Sequence, residues 1–213
     1  YPNNPTGAVA DLAFFERLAA WGAERGVPIC HDNAYAELTF DGLVAPSFLA
    51  APGARAAGIE IYSLSKSLSL PGWRIAFAVG NAELIARLRT LKTNIDSGMW
   101  LALQHAAVRA VELIPSFTAG LRQLYGGRRD VLCDGLEALG MDFVRPRGAL
   151  YVWMRVPGGG GSVAFAERLL EGAAVVVGPG AAYGPTSDGY VRLSLTASEE
   201  RLGEAVERIA RVL

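Results

Sequence analysis
Lysine is nearly missing from this chain. Of 20 basic residues, 2 are lysines, Lys66 and Lys92, and the other 18 are arginines. Arginine supplies surface charge but is not deprotonated in proteins. Chemistry that needs an amine therefore has those two side chains and the chain's amino terminus to draw on. Cysteine is as scarce: the 2 present, Cys30 and Cys133, cannot build a disulfide framework. The 2 histidines argue against a multi-histidine metal centre, and no bound metal is expected. Positive charge is not in excess. The 20 basic residues face 21 acidic ones, for a net charge of −1, which leaves no electrostatic footprint for nucleic acid or an anionic membrane. Charges, glycines and prolines interrupt every apolar stretch before the roughly 18 residues that a membrane span needs. No secretory signal opens the sequence, and a cytoplasmic protein is expected.

What is present is the material of a folded core. The 213 residues are 51% hydrophobic and 19% charged, with a mean hydropathy of +0.25. That excludes a disordered chain and gives one large domain or two small ones. Residues 1–7, Tyr-Pro-Asn-Asn-Pro-Thr-Gly, read as a turn. A helix is predicted over 11–24, with Asp11 as its cap and Gly26 as its stop. Short apolar strands are expected at 27–31, 59–63 and 73–79, and a helix at 82–91. Strands alternating with helices predict a mostly parallel sheet covered on both faces. Two long helices, 99–113 and 116–139, are expected to break at Pro115. Beyond Gly140 a smaller α+β unit is expected. Its strands fall at 141–144, 150–156, 175–177 and 190–195, and its helices at 163–171 and 198–212. The four glycines at 158–161 read as a surface loop, since no P-loop Lys-Ser/Thr follows them. The expected division is 1–95, 96–140 as connecting helices, and 141–213.

The chemistry concentrates at residues 63–74, Ser-Leu-Ser-Lys-Ser-Leu-Ser-Leu-Pro-Gly-Trp-Arg, read as a strand-to-strand connection rather than a helix. Lys66 has serines three and one before it and one and three after it, and Arg74 eight further on. Hydroxyls and a guanidinium grip an oxyanion or phosphate. An amine beside such a grip is the arrangement for a Schiff base to pyridoxal phosphate. That chemistry needs a carboxylate for the pyridine nitrogen, partners for the ring hydroxyl and an arginine for the substrate carboxylate. Asp32 follows an apolar strand, at the kind of strand end where ligands bind in open α/β sheets. Asn4 sits at the tip of the opening turn. Arg192 lies on an apolar strand, where a charge needs a partner.

These motifs, Asn-Pro-Thr-Gly from Asn4, Asp-x-Ala-Tyr from Asp32, Ser-x-Ser-Lys with the arginine eight on, and Val-Arg-Leu-Ser around Arg192, occur in the order of a known family. The chain resembles the fold-type I, class I/II aminotransferases across nearly its whole length. The resemblance implies an α/β, three-layer αβα large domain, incomplete here, with a smaller α+β C-terminal domain. It implies pyridoxal 5′-phosphate as cofactor, amino-acid and 2-oxo-acid substrates such as 2-oxoglutarate, a ping-pong mechanism, and a homodimer. Carried over, Lys66 is the Schiff-base lysine and proton shuttle, and Asp32 pairs with the pyridine nitrogen. Tyr35 and Asn4 hydrogen-bond the ring hydroxyl. Ser63, Ser65 and Arg74 hold the phosphate. Arg192, with Asn4 beside the substrate, binds its α-carboxylate. The wording of residues 31–35 and 92–98 is most like the LL-diaminopimelate aminotransferase branch, which serves lysine biosynthesis. Aspartate, alanine and aromatic aminotransferases and C–S lyases of the same fold remain alternatives.

Family members are longer. The resemblance implies that the half before Tyr1, with a phosphate-binding glycine turn, a ring-stacking aromatic and an arm to the partner subunit, is absent from this sequence. Two other classes share part of this pattern. Ser63-x-x-Lys66 is also the S-x-x-K string of serine acyl-transfer enzymes. Their further motifs are poorly matched by Ser187-Asp188-Gly189 and Lys92-Thr93-Asn94, in the wrong order, and the serine should open a helix where a strand is expected. A non-catalytic, aminotransferase-like regulator would not need Lys66, Asp32 and Arg192 together.

Overall fold
Helix α1 (Leu12–Arg25) begins where a carboxylate can cap it. Asp11 Oδ1 accepts from the Phe14 amide at 2.7 Å, and Gly26, at φ 63°, supplies the left-handed stop. Both end signals match the sequence reading. The structure, a computed structural model, describes residues 1–213. Helix α1 buries Phe15, Ala19 and Gly22. Phe15 meets Phe48 edge-on at 6.0 Å, and Ala51, Ala54 and Ala57 complete the cluster. Burying each ring contributes about 1.5–3 kcal/mol. Ile29 packs against the same cluster, which ties the helix to the first strand.

Strand β1 (Ile29–Asp32) pairs in parallel with β2 (Gly58–Ser63), which follows the short helix α2 (Ala54–Ala57). Their register sets Ile29 opposite Gly58 and Asp32 opposite Ile61. A Cβ on Gly58 would run into the Ile29 carbonyl, so the close start of this pair requires glycine. Beyond β2 come the one-turn helix α3 (Leu64–Ser67), a 3₁₀ turn at Pro71–Trp73, and strand β3 (Ala76–Gly80). Here the structure adds a detail to the expected mostly parallel sheet. Strand β3 runs antiparallel to β2, with Ser63 opposite Ala76. The connection never crosses to the far end of the sheet, as a parallel return would require. It closes on itself through the Leu64 amide and the Ile75 carbonyl, 3.1 Å apart. The strand order is β1-β2-β3.

Helix α4 (Ala82–Ile95) is capped by Asn81 Oδ1, which accepts from the Glu83 and Leu84 amides, both at 3.0 Å. Helix α5 (Leu101–Ala138) corrects the expected break: it continues for 38 residues with Pro115 inside it. Proline removes one ladder bond, but packing holds the helix on either side. Leu103, Ala107, Ala110 and Ile114 pack against the buried Leu64, Leu68 and Ile75, and further along Leu132 and Leu136 are buried. Just past the proline, Thr118 Oγ1 donates to the Ile114 carbonyl at 2.8 Å.

The chain packs as two units: Tyr1–Pro2 with Val9–Leu121, and Asn3–Ala8 with Arg122–Leu213. The first is the α/β unit just described. The second has a three-stranded antiparallel sheet of order β4-β6-β5, from β4 (Tyr151–Arg155), β5 (Gly178–Pro179) and β6 (Tyr190–Ser194). Between β4 and β5 lies α6 (Ser162–Ala173), and α7 (Glu199–Ala210) follows β6. Strands β4 and β6 alternate: Val152, Met154, Val191 and Leu193 are buried while the residues between them are partly open, as one covered face requires. Ser198 caps α7, with Glu199 and Glu200 in its first turn, where negative charge suits the helix dipole. The strand expected at 141–144 is reduced to a single bridge from Phe143 to Met154. That expected at 175–177 is displaced to Gly178–Pro179. The opening turn belongs to this unit, for the Gly7 carbonyl accepts from the Arg147 and Gly148 amides at 3.2 Å. No helix is long and apolar enough to cross a membrane.

Candidate active site
Strands β1 and β2 run the same way, so their C-terminal ends share one edge of the sheet. Asp32 ends β1 and Ser63 ends β2. Ser63 then turns the chain. Its Oγ accepts from the Ser65 amide at 3.2 Å, which caps α3, and Lys66 rides on that turn. The expectation of a connection without helix is thereby corrected. A polar residue at the strand's end supplies the cap locally, and one helical turn suffices to change direction. The argument that no helix could open at Ser63 falls with it.

Lys66 is half-buried, with Nζ 6.0 Å from the centroid of the buried Tyr35 ring. Ser63 and Ser65 are half-buried and Asp32 is exposed. Arg74 follows the 3₁₀ turn in the left-handed region, at φ 54° and ψ 43°. Its Nη1 donates to the Pro71 carbonyl at 3.0 Å, leaving the remaining guanidinium donors to the surface.

Behind this edge lies a buried polar network that the motifs did not disclose. Glu60 Oε2 accepts from His31 Nδ1 at 2.9 Å, Ser47 Oγ at 2.9 Å and the Phe48 amide at 2.8 Å. Its Oε1 accepts from Asn33 Nδ2 at 3.0 Å. Burial pushes the Glu60 carboxyl up, but the bonds from His31, Asn33 and Ser47 outweigh it and hold the group below the usual carboxylate range. A carboxylate only accepts, so the His31 proton sits on Nδ1. The one sequence signal was a charge inside the apolar run Ile59-Glu60-Ile61, which needs partners.

The second unit holds the other two expected residues, and they touch. Arg192 Nη1 donates to Asn4 Oδ1 at 3.0 Å, although 188 positions separate them. The guanidinium carbon lies 4.1 Å from the Tyr151 ring centroid and 5.3 Å from that of Tyr183. Those rings were not singled out in the sequence. They hold the planar cation by cation–π attraction. With its oxygen taken by Arg192, Asn4 keeps its amide N–H groups to donate elsewhere.

The donor set of the first unit fits pyridoxal phosphate. An amine and a guanidinium lie on one connection with two hydroxyls, and an exposed carboxylate stands at the same sheet edge. Hydroxyls and guanidinium suit a phosphate, the amine suits a carbonyl carbon, and the carboxylate suits a protonated ring nitrogen.

Comparison with known proteins agrees with this chemistry. The model of the family "Aminotransferase class I and II" matches residues 1–209. The LL-diaminopimelate aminotransferase of Moorella thermoacetica is 46% identical over 213 residues, which is 100% of this chain and 55% of that protein. Among solved structures, substrate-bound BacF from Bacillus subtilis superposes with a TM-score of 0.94 at 41% identity, covering 99% of this chain and 54% of that one. An aromatic aminotransferase from Pyrococcus horikoshii does so with a TM-score of 0.94 at 31% identity, covering 100% and 58%. The chain thus spans about half the length of the relatives it matches.

Proposed function
Since this chain belongs to the class I and II aminotransferases, we propose that the protein transfers an amino group between an amino acid and a 2-oxo acid such as 2-oxoglutarate, by a ping-pong mechanism with pyridoxal 5′-phosphate. The observation that carries the reading is the shared edge of β1 and β2, where Asp32 and the Ser63–Lys66 turn stand together. The coenzyme, when bound, takes up the amino group and delocalises the electrons left when the substrate's Cα–H bond breaks.

The chain's own residues supply the rest. Lys66 Nζ anchors the coenzyme and carries the proton taken from the substrate Cα. The Asp32 carboxylate holds a proton on the ring nitrogen by charge attraction, and Tyr35 and the Asn4 amide donate to the ring hydroxyl. Ser63, Ser65 and Arg74 grip the phosphate. Arg192, held by Asn4, Tyr151 and Tyr183, presents its remaining N–H groups to the substrate α-carboxylate. The 46% identity to an LL-diaminopimelate aminotransferase supports LL-2,6-diaminopimelate as donor. The working species is a homodimer, as the resemblance implies.

Borohydride reduction of the coenzyme-loaded protein, followed by peptide mapping, should place the pyridoxyl label on Lys66. A label on Lys92 overturns the assignment. A panel of amino donors with 2-oxoglutarate tests the substrate: aspartate, alanine or an aromatic amino acid outpacing LL-diaminopimelate moves the protein to another branch. Light scattering on the loaded protein tests the dimer.

A further inference from the structure
We infer that Glu60 is a positioning residue: its buried carboxylate clamps the residues on either side of Asp32 and so sets the direction in which Asp32 presents its own carboxylate to the coenzyme ring. The inference rests on the proposed role of Asp32.

Side chains alternate along a strand, so residues 31 and 33 face one way and residue 32 the other. His31 is 7% exposed and Asn33 3%, whereas Asp32 is exposed. The parallel register puts Glu60 directly opposite His31. One carboxylate then reaches both neighbours of Asp32, His31 through Oε2 at 2.9 Å and Asn33 through Oε1 at 3.0 Å. The Asn33 amide also donates to the Ile61 carbonyl at 2.8 Å, so strand pairing extends one residue past Asp32. Asn33 Oδ1 has no partner, so this side chain is held through Nδ2 alone. Ser47 Oγ and the Phe48 amide brace the carboxylate from a third segment.

A buried, charged network is a poor route to stability, because apolar residues of similar volume serve as well. What it supplies is one geometry. Four directed bonds converge on a rigid group, and the residue between the two clamped ones is the residue that must meet the coenzyme.

The test uses the coenzyme-loaded protein and its coenzyme-free form. Glu60→Gln keeps the side chain's shape and turns one acceptor oxygen into a donor. It should raise the pyridoxal phosphate dissociation constant, read by absorbance titration of the coenzyme-free form, about 10-fold. It should lower kcat about 10- to 100-fold with KM for the amino acid little changed, as misplacement of a reacting group does. In an Asp32→Asn background the same substitution should change neither quantity further, because the group it aims is gone. Equal losses in both backgrounds make Glu60 merely structural and overturn the inference. If Glu60→Gln fails to fold, Asn33→Ala removes one arm of the clamp and decides the matter. A loss confined to the Asp32 background supports the inference, and no loss, or a loss in both backgrounds, overturns it. Wild-type behaviour of Glu60→Gln beside a crippled Asp32→Asn overturns this inference alone. Wild-type behaviour of Asp32→Asn overturns the reading of Asp32 and this inference with it.

Discussion

The two packing units treat their central charges in opposite ways. In the first, Asp32 projects from the sheet edge while Glu60, behind it, gathers four hydrogen bonds. In the second, Arg192 is itself the gripped group, with an amide oxygen at 3.0 Å and two rings within 5.3 Å of its guanidinium carbon. On the proposed roles, the carboxylate that acts on a bound ring is steadied from its backbone, which leaves its oxygens open. The guanidinium proposed to recognise the substrate carboxylate can be held directly, because it has N–H groups to spare. The first arrangement should govern the rate and the second the affinity.

That contrast can be broken by substitution. Lys66→Ala should have the largest effect, abolishing turnover while leaving some coenzyme held by phosphate contacts. Absorbance of the bound coenzyme and single-turnover assays check both. Asp32→Asn should come next, lowering kcat about a thousandfold, since a preorganised charge inside a site is worth about that much. A variant that loses affinity for the amino acid while keeping kcat would erase the distinction drawn here. Arg192→Lys keeps the charge and loses the fork. It should lower kcat/KM about 10- to 100-fold for amino acid and 2-oxo acid alike, the worth of one or two charge-assisted hydrogen bonds. If one substrate suffers and the other does not, Arg192 reads a side chain.

The smallest effect concerns acid stability. Glu60 is held below the usual carboxylate range in the folded state. The stability its ionisation contributes is therefore complete above the unfolded value, near pH 4.3, and is lost as pH falls through the lowered folded value. Melting temperatures of wild type and Glu60→Gln should differ at neutral pH and draw together in acid. Curves that stay parallel to the lowest pH would show that the Glu60 charge contributes nothing to folding.

The same contrast explains what could be read from the sequence. Local signals were legible because they act over a few residues: Asp11 and Gly26 bounding α1, Ser198 opening α7, and the serines around Lys66. Asp32 and Arg192 stood out because each is a charge beside apolar strand residues. The clamp on Asp32 was hidden, since Glu60 reaches His31 and Asn33 across 29 and 27 positions, a relation that only strand register creates. The Asn4–Arg192 bond is more remote still. The continuity of α5 was misread because Pro115 acts locally, whereas the packing of Leu103 to Ile114 on Leu64, Leu68 and Ile75 before it and the burial of Leu132 and Leu136 beyond it hold one helix.

The backbone of Arg74 carries one more consequence. At φ 54° it occupies a region that disfavours side chains by roughly 1–2 kcal/mol, one that glycine would enter freely. On its proposed role in gripping the phosphate, an arginine kept there trades foldedness for function. Arg74→Gly should melt at a higher temperature and release its coenzyme more readily, the two changes coming from a single site in opposite directions. A variant that gains neither heat tolerance nor leakiness would mean that the bend in the chain, and not the cation it carries, is what that position preserves.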